Sequence, residues 1–154
     1  IPGIRLLKRD LRQTRRNLYR YIINIDVDYF HCEHDIFCYA LTKEGIPVDT
    51  GYPAMNRYEL FQPGLSKLPV PTAFPEYFDF EKMSFPVAER ASERVSVWMG
   101  ESIFRAEKQG IDDLVAGIQK MGNHQDELAK LTTAKSEMIE TIGYLDLNKL
   151  AEFI

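Results

Sequence analysis

The sequence lacks any long apolar run: within its 154 residues, uninterrupted apolar stretches extend over only a few positions. A membrane-spanning helix needs about 20 consecutive apolar residues, and a secretory signal needs an apolar segment behind a basic start. We therefore expect no membrane association and a cytoplasmic location. The composition, 45% hydrophobic and 27% charged, is typical of a folded domain with its own core.

Cysteine and histidine are scarce. The two cysteines, Cys32 and Cys38, lie six positions apart and match no CxxC metal or redox pattern. His31 and His34 stand beside Cys32, so a small metal or redox centre is one interpretation of this segment. The other is a polar turn that begins a helix. Because no further ligand is evident beside His31, Cys32 and His34, we expect no bound metal.

An excess of positive charge is also absent, since the formal net charge is −4. Nucleic-acid binding needs a cationic surface, so we expect no nucleic-acid partner. The first twenty residues are an exception, with seven arginines and lysines against one acidic residue, Asp10. Without interleaved aromatic residues, this run indicates a solvated segment that packs against an acidic surface of a larger protein, with phosphate contact as the alternative.

Apolar periodicity predicts three strands and three helices. The predicted strands cover residues 19–26, 46–53 and 96–100, and the predicted helices cover residues 35–44, 86–95 and 111–122. We expect His34 or Asp35 to cap the first helix, Asp112 to cap the third, and Gly45 and Gly122 to end them. Two prolines within 46–53 favour an edge strand.

A long excursion separates the second strand from the second helix. Residues 62–86 hold five of the eight prolines and five aromatic residues, among them Phe80. Disordered linkers are poor in aromatic residues, so we expect this segment to pack on something. The order of elements predicts an α/β-type or α+β fold, with a small mixed sheet and helices packed on one side. The tail beyond Gly122 is expected to form one or two helices around Gly143.

Three stretches carry a resemblance to a known family: "KEGIPVDTGYPAMNRYELFQ" (43–62), "FPVAERASERVSVWM" (85–99) and "GIDDLVAGIQKM" (110–121). In this order and spacing they resemble the C-terminal half of DegT/StrS-type, fold type I aminotransferases, which aminate keto-sugar nucleotides and keto-inositols. The resemblance implies that residues 1–122 are the C-terminal small domain of such an enzyme. Residues 123–154 would then be a helical tail with no assigned role.

The same resemblance implies an enzyme that uses pyridoxal phosphate and works as a homodimer. Its amino acceptor would be a keto-sugar or keto-cyclitol, and "GYPAMNRYELF" is most similar to aminocyclitol enzymes. None of the nine lysines stands in the Ser/His-rich context of the family's Schiff-base lysine. We therefore expect the cofactor to belong to a missing large domain, this chain to have no catalytic or cofactor-binding residue, and the chain alone to be inactive.

The small domain of such enzymes closes the substrate side of the cleft, and Tyr52, Asn56 and Arg57 are the candidate substrate-binding residues. An arginine fork suits a carboxylate or phosphate, while amide and phenol groups suit hydroxyls. Equally, Tyr52 would pack on the sheet and Arg57 would pair with Glu59. Glu89 and Arg90 are secondary candidates, with an internal ion pair as the alternative. Trp98 is expected in the core.

A second class of function is a non-catalytic binding or interaction module that reuses this fold. The leucine-rich tail would then dock a partner or form a dimer. Alternatively, the tail completes the core of this domain.

Overall fold

The computed structural model of the chain describes residues 1–79 and 82–153. A four-stranded sheet has the order β1-β2-β4-β3, and its three strand pairs are all antiparallel. The strands are β1 (Ile4–Leu6), β2 (Tyr21–Ile25), β3 (Val48–Asp49) and β4 (Ser96–Met99). The α+β class is confirmed. The predicted sheet of mixed strand direction is wrong, because the chain enters β4 after the excursion, and β4 pairs antiparallel with both β2 and the edge strand β3. The three-residue strand β1 was not predicted.

The two faces of the sheet differ in burial. Ile23 and Ile25 of β2 and Val97 and Met99 of β4 point into the core beneath the helices. Side chains alternate along a strand, so Trp98 must point to the opposite face, where it is half-buried. The prediction that Trp98 lies in the core is therefore wrong.

Helices make up most of the remaining structure. They are α1 (Val27–Phe30), α2 (His34–Lys43), α3 (Pro69–Ala73), α4 (Pro86–Arg90), which continues into a π turn (Ala91–Val95), α5 (Glu101–Arg105), α6 (Glu107–Asn123) and α7 (Gln125–Ile142). Four 3₁₀ turns lie at Met55–Arg57, Glu59–Phe61, Pro75–Phe78 and Leu150–Phe153. All three predicted helices are present, and none of the helices in the described residues is long and apolar enough to cross a bilayer.

The ends of the helices differ from the predicted caps. Glu33 precedes α2 without a side-chain cap, and the His34 ring is buried, with Nδ1 at 2.9 Å from the Ser96 carbonyl oxygen. Gly45 has φ of +85° just beyond α2, as expected for a residue that ends a helix. Asp112 lies inside α6, because that helix begins already at Glu107.

The tail is packed into the core. From α7, Leu128, Ala134 and Met138 belong to the same buried cluster as Phe37 of α2. Gly143 adopts φ of +80° and ends α7. The tail therefore forms one wall of the core and is not a free appendage.

Three aromatic side chains of the excursion have little cover within the described chain. Phe74, Tyr77 and Phe85 are all at least half exposed. Phe80 lies outside the described residues. Pro71 is buried and Phe78 is half-buried, so the expectation that the excursion packs on something is met only in part within the described residues.

Candidate functional site

The three predicted substrate-binding residues follow β3, and the structure divides them between two places. Tyr52 stacks edge-on against Trp98, with ring centroids 5.4 Å apart, and its ring is 60% exposed. A hydrogen bond with Tyr19 raises the pKa of the Tyr52 phenol. Gly51 makes this stacking possible, since its φ is +73° and a β-carbon there would stand 2.3 Å from the Trp98 ring. Tyr52 thus packs on the outer face of the sheet.

Asn56 and Arg57 line an open cleft of about 590 Å³ between the 3₁₀ turn Met55–Arg57 and the excursion. The lining residues are Asn56, Arg57, Gln62, Pro63, Pro75, Glu76, Phe78 and Asp79. The wall is thus largely polar, with amides, carboxylates and one guanidinium around a few apolar groups. Tyr52 is not part of the wall that the structure describes.

Asn56 is the buried anchor of this cleft. Only 6% of the residue is exposed, and its Nδ2 donates a hydrogen bond to Glu89 Oε1 across 2.7 Å. This bond is the main reason why the pKa of Glu89 is lowered, with a smaller contribution from the charge of Arg57. The amide therefore fixes an ionised carboxylate behind the cleft.

Arg57 is half exposed and is committed to two carboxylates. Its Nε donates to Glu93 Oε1 at 3.1 Å, and its Nη2 lies 3.6 Å from Glu89 Oε1. In place of the expected partner Glu59, Arg57 pairs with Glu89 and Glu93, which lie more than thirty positions further along the chain. The local sequence around Arg57 contains no sign of this pairing.

Helix α4 and its π turn present the two carboxylates together. Glu89 and Glu93 are four positions apart, a spacing that places side chains on one helical face. Arg94 faces elsewhere and donates from Nε to Glu33 at 3.0 Å. Glu89 was a secondary candidate from the sequence, whereas Glu93 was missed, although its spacing from Glu89 was the available signal.

The lysines of the chain lie mostly on its surface. Eight of the nine are exposed, and Lys135 alone is largely covered. Its Nζ lies 2.7 Å from Asp35 and 3.3 Å from Glu33. Burial works to lower the pKa of Lys135, but hydrogen bonds and charge from Asp35 and Glu33 outweigh it and raise that pKa. A lysine held protonated in this way is not a nucleophile.

The metal or redox interpretation of the histidine–cysteine segment finds no support. Burial raises the pKa of both Cys32 and Cys38 to about 12, so neither side chain is a reactive thiolate near neutral pH. The Nδ1 atom of His34 lies 2.9 Å from the Ser96 carbonyl oxygen. Among the residues that the structure describes, no group of three or more histidine, cysteine or acidic side chains is placed to hold a metal ion.

Comparison with known proteins finds relatives among aminotransferases. Three curated proteins named as L-glutamine:3-amino-2,3-dideoxy-scyllo-inosose aminotransferases are similar to the chain. The protein from Micromonospora echinospora is 28% identical over 134 residues, 84% of this chain and 32% of the relative. Those from Streptoalloteichus tenebrarius and Streptomyces kanamyceticus are 28% and 27% identical over 123 residues, 77% of this chain and 30% and 29% of the relatives.

The chain spans about a third of the length of the curated relatives it matches. It is therefore similar to a part of an aminocyclitol aminotransferase. No protein-family model matches the chain, and no solved structure matches it.

Proposed function

We propose that this chain is the C-terminal small domain of a DegT/StrS-type aminotransferase that uses pyridoxal phosphate and aminates a keto-cyclitol. The observation that carries the proposal is the similarity to three aminocyclitol aminotransferases over about four-fifths of the chain. The α+β fold, with helices on one face of a small antiparallel sheet, agrees with this role. A keto-sugar is the alternative acceptor, and the names of the relatives favour the cyclitol.

Pyridoxal phosphate supplies the carrier of the amino group in such enzymes. The residues of this chain do not fit the cofactor, because its lysines are exposed or, at Lys135, fixed between carboxylates. We assign cofactor binding to a large domain outside this chain, and the working enzyme to a homodimer. The isolated chain is then inactive in amino transfer.

Residues 1–122 form the body of this small domain, and residues 123–154 complete it. Support comes from α7, whose side chains enter the common core, and from the ion pairs of Lys135 with α2. Removing the tail would take Leu128, Ala134 and Met138 out of the buried cluster that contains Phe37, so the two parts are expected to fold together.

The cleft beside Asn56 and Arg57 is assigned to the acceptor side of the active site. Both residues line the cleft, and Asn56 is fixed by a buried hydrogen bond. Such anchoring is what a substrate-positioning residue requires. Tyr52 is assigned to the rim, where its exposed ring edge is available to a second domain or to the acceptor.

The test is an amino-transfer assay with L-glutamine and a keto-inositol. The native protein, with any polypeptide that precedes this chain, should convert the acceptor, and the 154-residue chain alone should not. A native protein that binds pyridoxal phosphate but never aminates a cyclitol or sugar would contradict the proposed acceptor. Amino transfer by the 154-residue chain alone would contradict the assignment of cofactor binding to a separate large domain.

An interaction module is the second candidate, and one observation favours it. Of the twenty exposed large apolar residues in the part of the chain that the structure describes, ten lie between Tyr52 and Val87, on the excursion and its flanks. Surfaces of this kind usually contact another protein part. A native polypeptide limited to this chain, and able to bind a protein partner, would favour this function over the aminotransferase.

A further inference from the structure

The outer face of the sheet carries an aromatic patch that consists of Tyr19, Ile22, Tyr52 and Trp98. Ile22 of β2 lies directly opposite Trp98 of β4, so the two side chains share this face. Tyr52 packs edge-on against Trp98, and its phenol is hydrogen-bonded to Tyr19. Tyr19 is 76% exposed and Tyr52 is 60% exposed, while Ile22 and Trp98 are half-buried. The described residues therefore leave a continuous apolar surface largely open.

A basic connection, residues 7–20, adjoins this patch. It joins β1 to β2 and contains neither helix nor strand. It has six arginines and lysines against one acidic residue, Asp10, in a chain whose formal net charge is −4. Arg12 pairs with Asp10, and Arg20 pairs with Asp49. The other four cations form no ion pair with any residue that the structure describes, and they are Lys8, Arg9, Arg15 and Arg16.

Two contacts fix the end of the basic connection to the aromatic patch. The guanidinium carbon of Arg20 lies 5.3 Å from the centre of the Tyr19 ring, and Nη1 of Arg20 lies 3.9 Å from Asp49 Oδ2. The hydrogen bond of Tyr19 with Tyr52 then joins the connection to the loop after β3. The patch and the connection therefore form one surface, with an apolar centre and a cationic side.

The composition of this surface is typical of a protein interface. Isolated apolar residues are ordinary on protein surfaces, but a contiguous patch with a charged border usually meets another protein part. Tryptophan, tyrosine and arginine are the residues that contribute most to binding at such interfaces. Here Trp98, Tyr52 and Tyr19 supply the centre, and Arg20 stands at its edge.

Charge and ring geometry discriminate between the possible occupants. A second copy placed by a two-fold axis on the patch would bring two basic connections together, and like charges oppose that contact. A single-stranded nucleic acid would match the charge, but its bases stack on accessible ring faces. The rings of Tyr52 and Trp98 are inclined at 79°, so they offer no parallel faces for successive bases. An acidic protein surface fits both features.

We propose that the aromatic patch and the basic connection form one docking surface for an acidic region of the polypeptide that accompanies this chain in the native protein. An apolar side chain of that region would cover Trp98 and Tyr52, and its carboxylates would pair with the unpaired cations of residues 7–20. The proposal rests on the proposed function, because that function places this chain in a longer protein, as its relatives suggest by being about three times the matched length.

The test is hydroxyl-radical footprinting of the native protein, read residue by residue by mass spectrometry. Tyr144 is the internal control, because it is 58% exposed in this chain and Tyr52 is 60% exposed. In the native protein, Tyr19 and Tyr52 should be oxidised about fivefold more slowly than Tyr144, since the centre of an interface is dry. In the 154-residue chain alone, Tyr52 and Tyr144 should react at similar rates.

A charge-reversal variant tests the cationic side of the surface. Lys8→Glu/Arg15→Glu in the native protein should increase the oxidation of Tyr52 about threefold or more, because two attractive contacts become repulsive. The matched control is Lys130→Glu/Lys149→Glu, which makes the same change of charge at two exposed positions of the tail. It should leave the oxidation of Tyr52 as in the wild type.

Four outcomes would overturn the proposal. In the native protein, Tyr52 could react as fast as Tyr144, or Lys8→Glu/Arg15→Glu could leave its protection unchanged. Protection already present in the 154-residue chain, together with a doubled mass, would identify a second copy as the occupant. Protection that nuclease treatment removes would identify a nucleic acid.

Failure of this proposal is distinguishable from failure of the proposed function. A native protein that transfers amino groups, but leaves Tyr52 as reactive as Tyr144, would keep the aminotransferase assignment and refute the docking surface. A native protein without amino transfer, but with Tyr19 and Tyr52 protected and released by the charge reversal, would refute the assignment and support the docking surface.

Discussion

Asn56 and Glu89 are joined by a 2.7 Å hydrogen bond across 33 positions of sequence. The bond connects the loop after β3 to helix α4, and it holds a buried amide against a carboxylate of lowered pKa. Through Glu89 it also sets the position of Arg57. The shape and the charge of the cleft thus depend on one side-chain pair.

This pair predicts a pH dependence of stability. A carboxyl group whose pKa is lowered on folding stabilises the protein above its unfolded pKa, and the contribution is lost as the pH falls through the folded pKa. Glu89→Gln should therefore lower the thermal midpoint at pH 7, and the difference from wild type should shrink as the pH falls below about 4.3, the ordinary pKa of a glutamate. A pH-independent difference in melting temperature would show that the ionised form of Glu89 has no part in it.

Lys135 predicts a contribution of the tail to stability. Its side chain is 18% exposed and its ammonium lies between Asp35 and Glu33, so Lys135→Met would leave Asp35 without its cation and Glu33 paired with Arg94 alone. We expect a loss of about 1–3 kcal/mol in urea unfolding followed by Trp98 fluorescence. Because the pKa of Lys135 is raised, this stabilisation is complete at neutral pH and is lost only as the pH rises through the folded pKa.

Lys130 provides the matched control for this substitution. It is exposed on the same helix, so Lys130→Met should change the stability by no more than about 0.5 kcal/mol. Equal effects of the two substitutions would mean that the ion pairs of Lys135 with Asp35 and Glu33 do not stabilise the fold.

Met138 tests whether the tail belongs to the core. Its side chain is fully buried, and Met138→Ala should cost about 2–5 kcal/mol, as other large-to-small changes in cores do. The neighbouring Ile139 is exposed, and Ile139→Ala should cost less than about 1 kcal/mol. Denaturant unfolding of both variants measures the difference, and a mild effect at Met138 would show that α7 is not packed in solution as described.

Gly51 tests the close approach of the loop to Trp98. Gly51 and Gly64 both have positive φ, so an alanine at either position costs about 1–2 kcal/mol of backbone strain. Only at Gly51 would the added carbon meet the Trp98 ring, which adds about 1–3 kcal/mol. Gly51→Ala should also shift the Trp98 fluorescence, whereas Gly64→Ala should not. Indistinguishable variants would contradict the contact.

Local signals predicted the longer helices and three of the strands, but not the short helices α1, α3 and α5. The apolar positions of α2 repeat at helical spacing, and Gly45 at φ +85° ends the helix where expected. Strand β1 escaped prediction because three residues carry too little pattern, and its formation depends on pairing with β2. The antiparallel direction of the sheet likewise depends on the path of the excursion, which has no local signature.

The candidate site could be predicted only in part. Asn56 and Arg57 were identified from the loop in which they lie, and the structure brings both to one cleft. Their carboxylate partners come from a helix more than thirty positions away, so the pairing of Arg57 with Glu93 was not visible in its neighbourhood. Tyr52 lies apart from Asn56 and Arg57 because its ring packs against Trp98, which points to the outer face of the sheet.

The intact mass of the native polypeptide, measured together with its visible absorption spectrum, tests the central claim most directly. The account predicts a polypeptide about three times heavier than the 17.8 kDa of this chain, since the chain spans about a third of its relatives, and a yellow protein that carries pyridoxal phosphate. A colourless native species of 17.8 kDa would contradict the assignment of this chain to an aminotransferase.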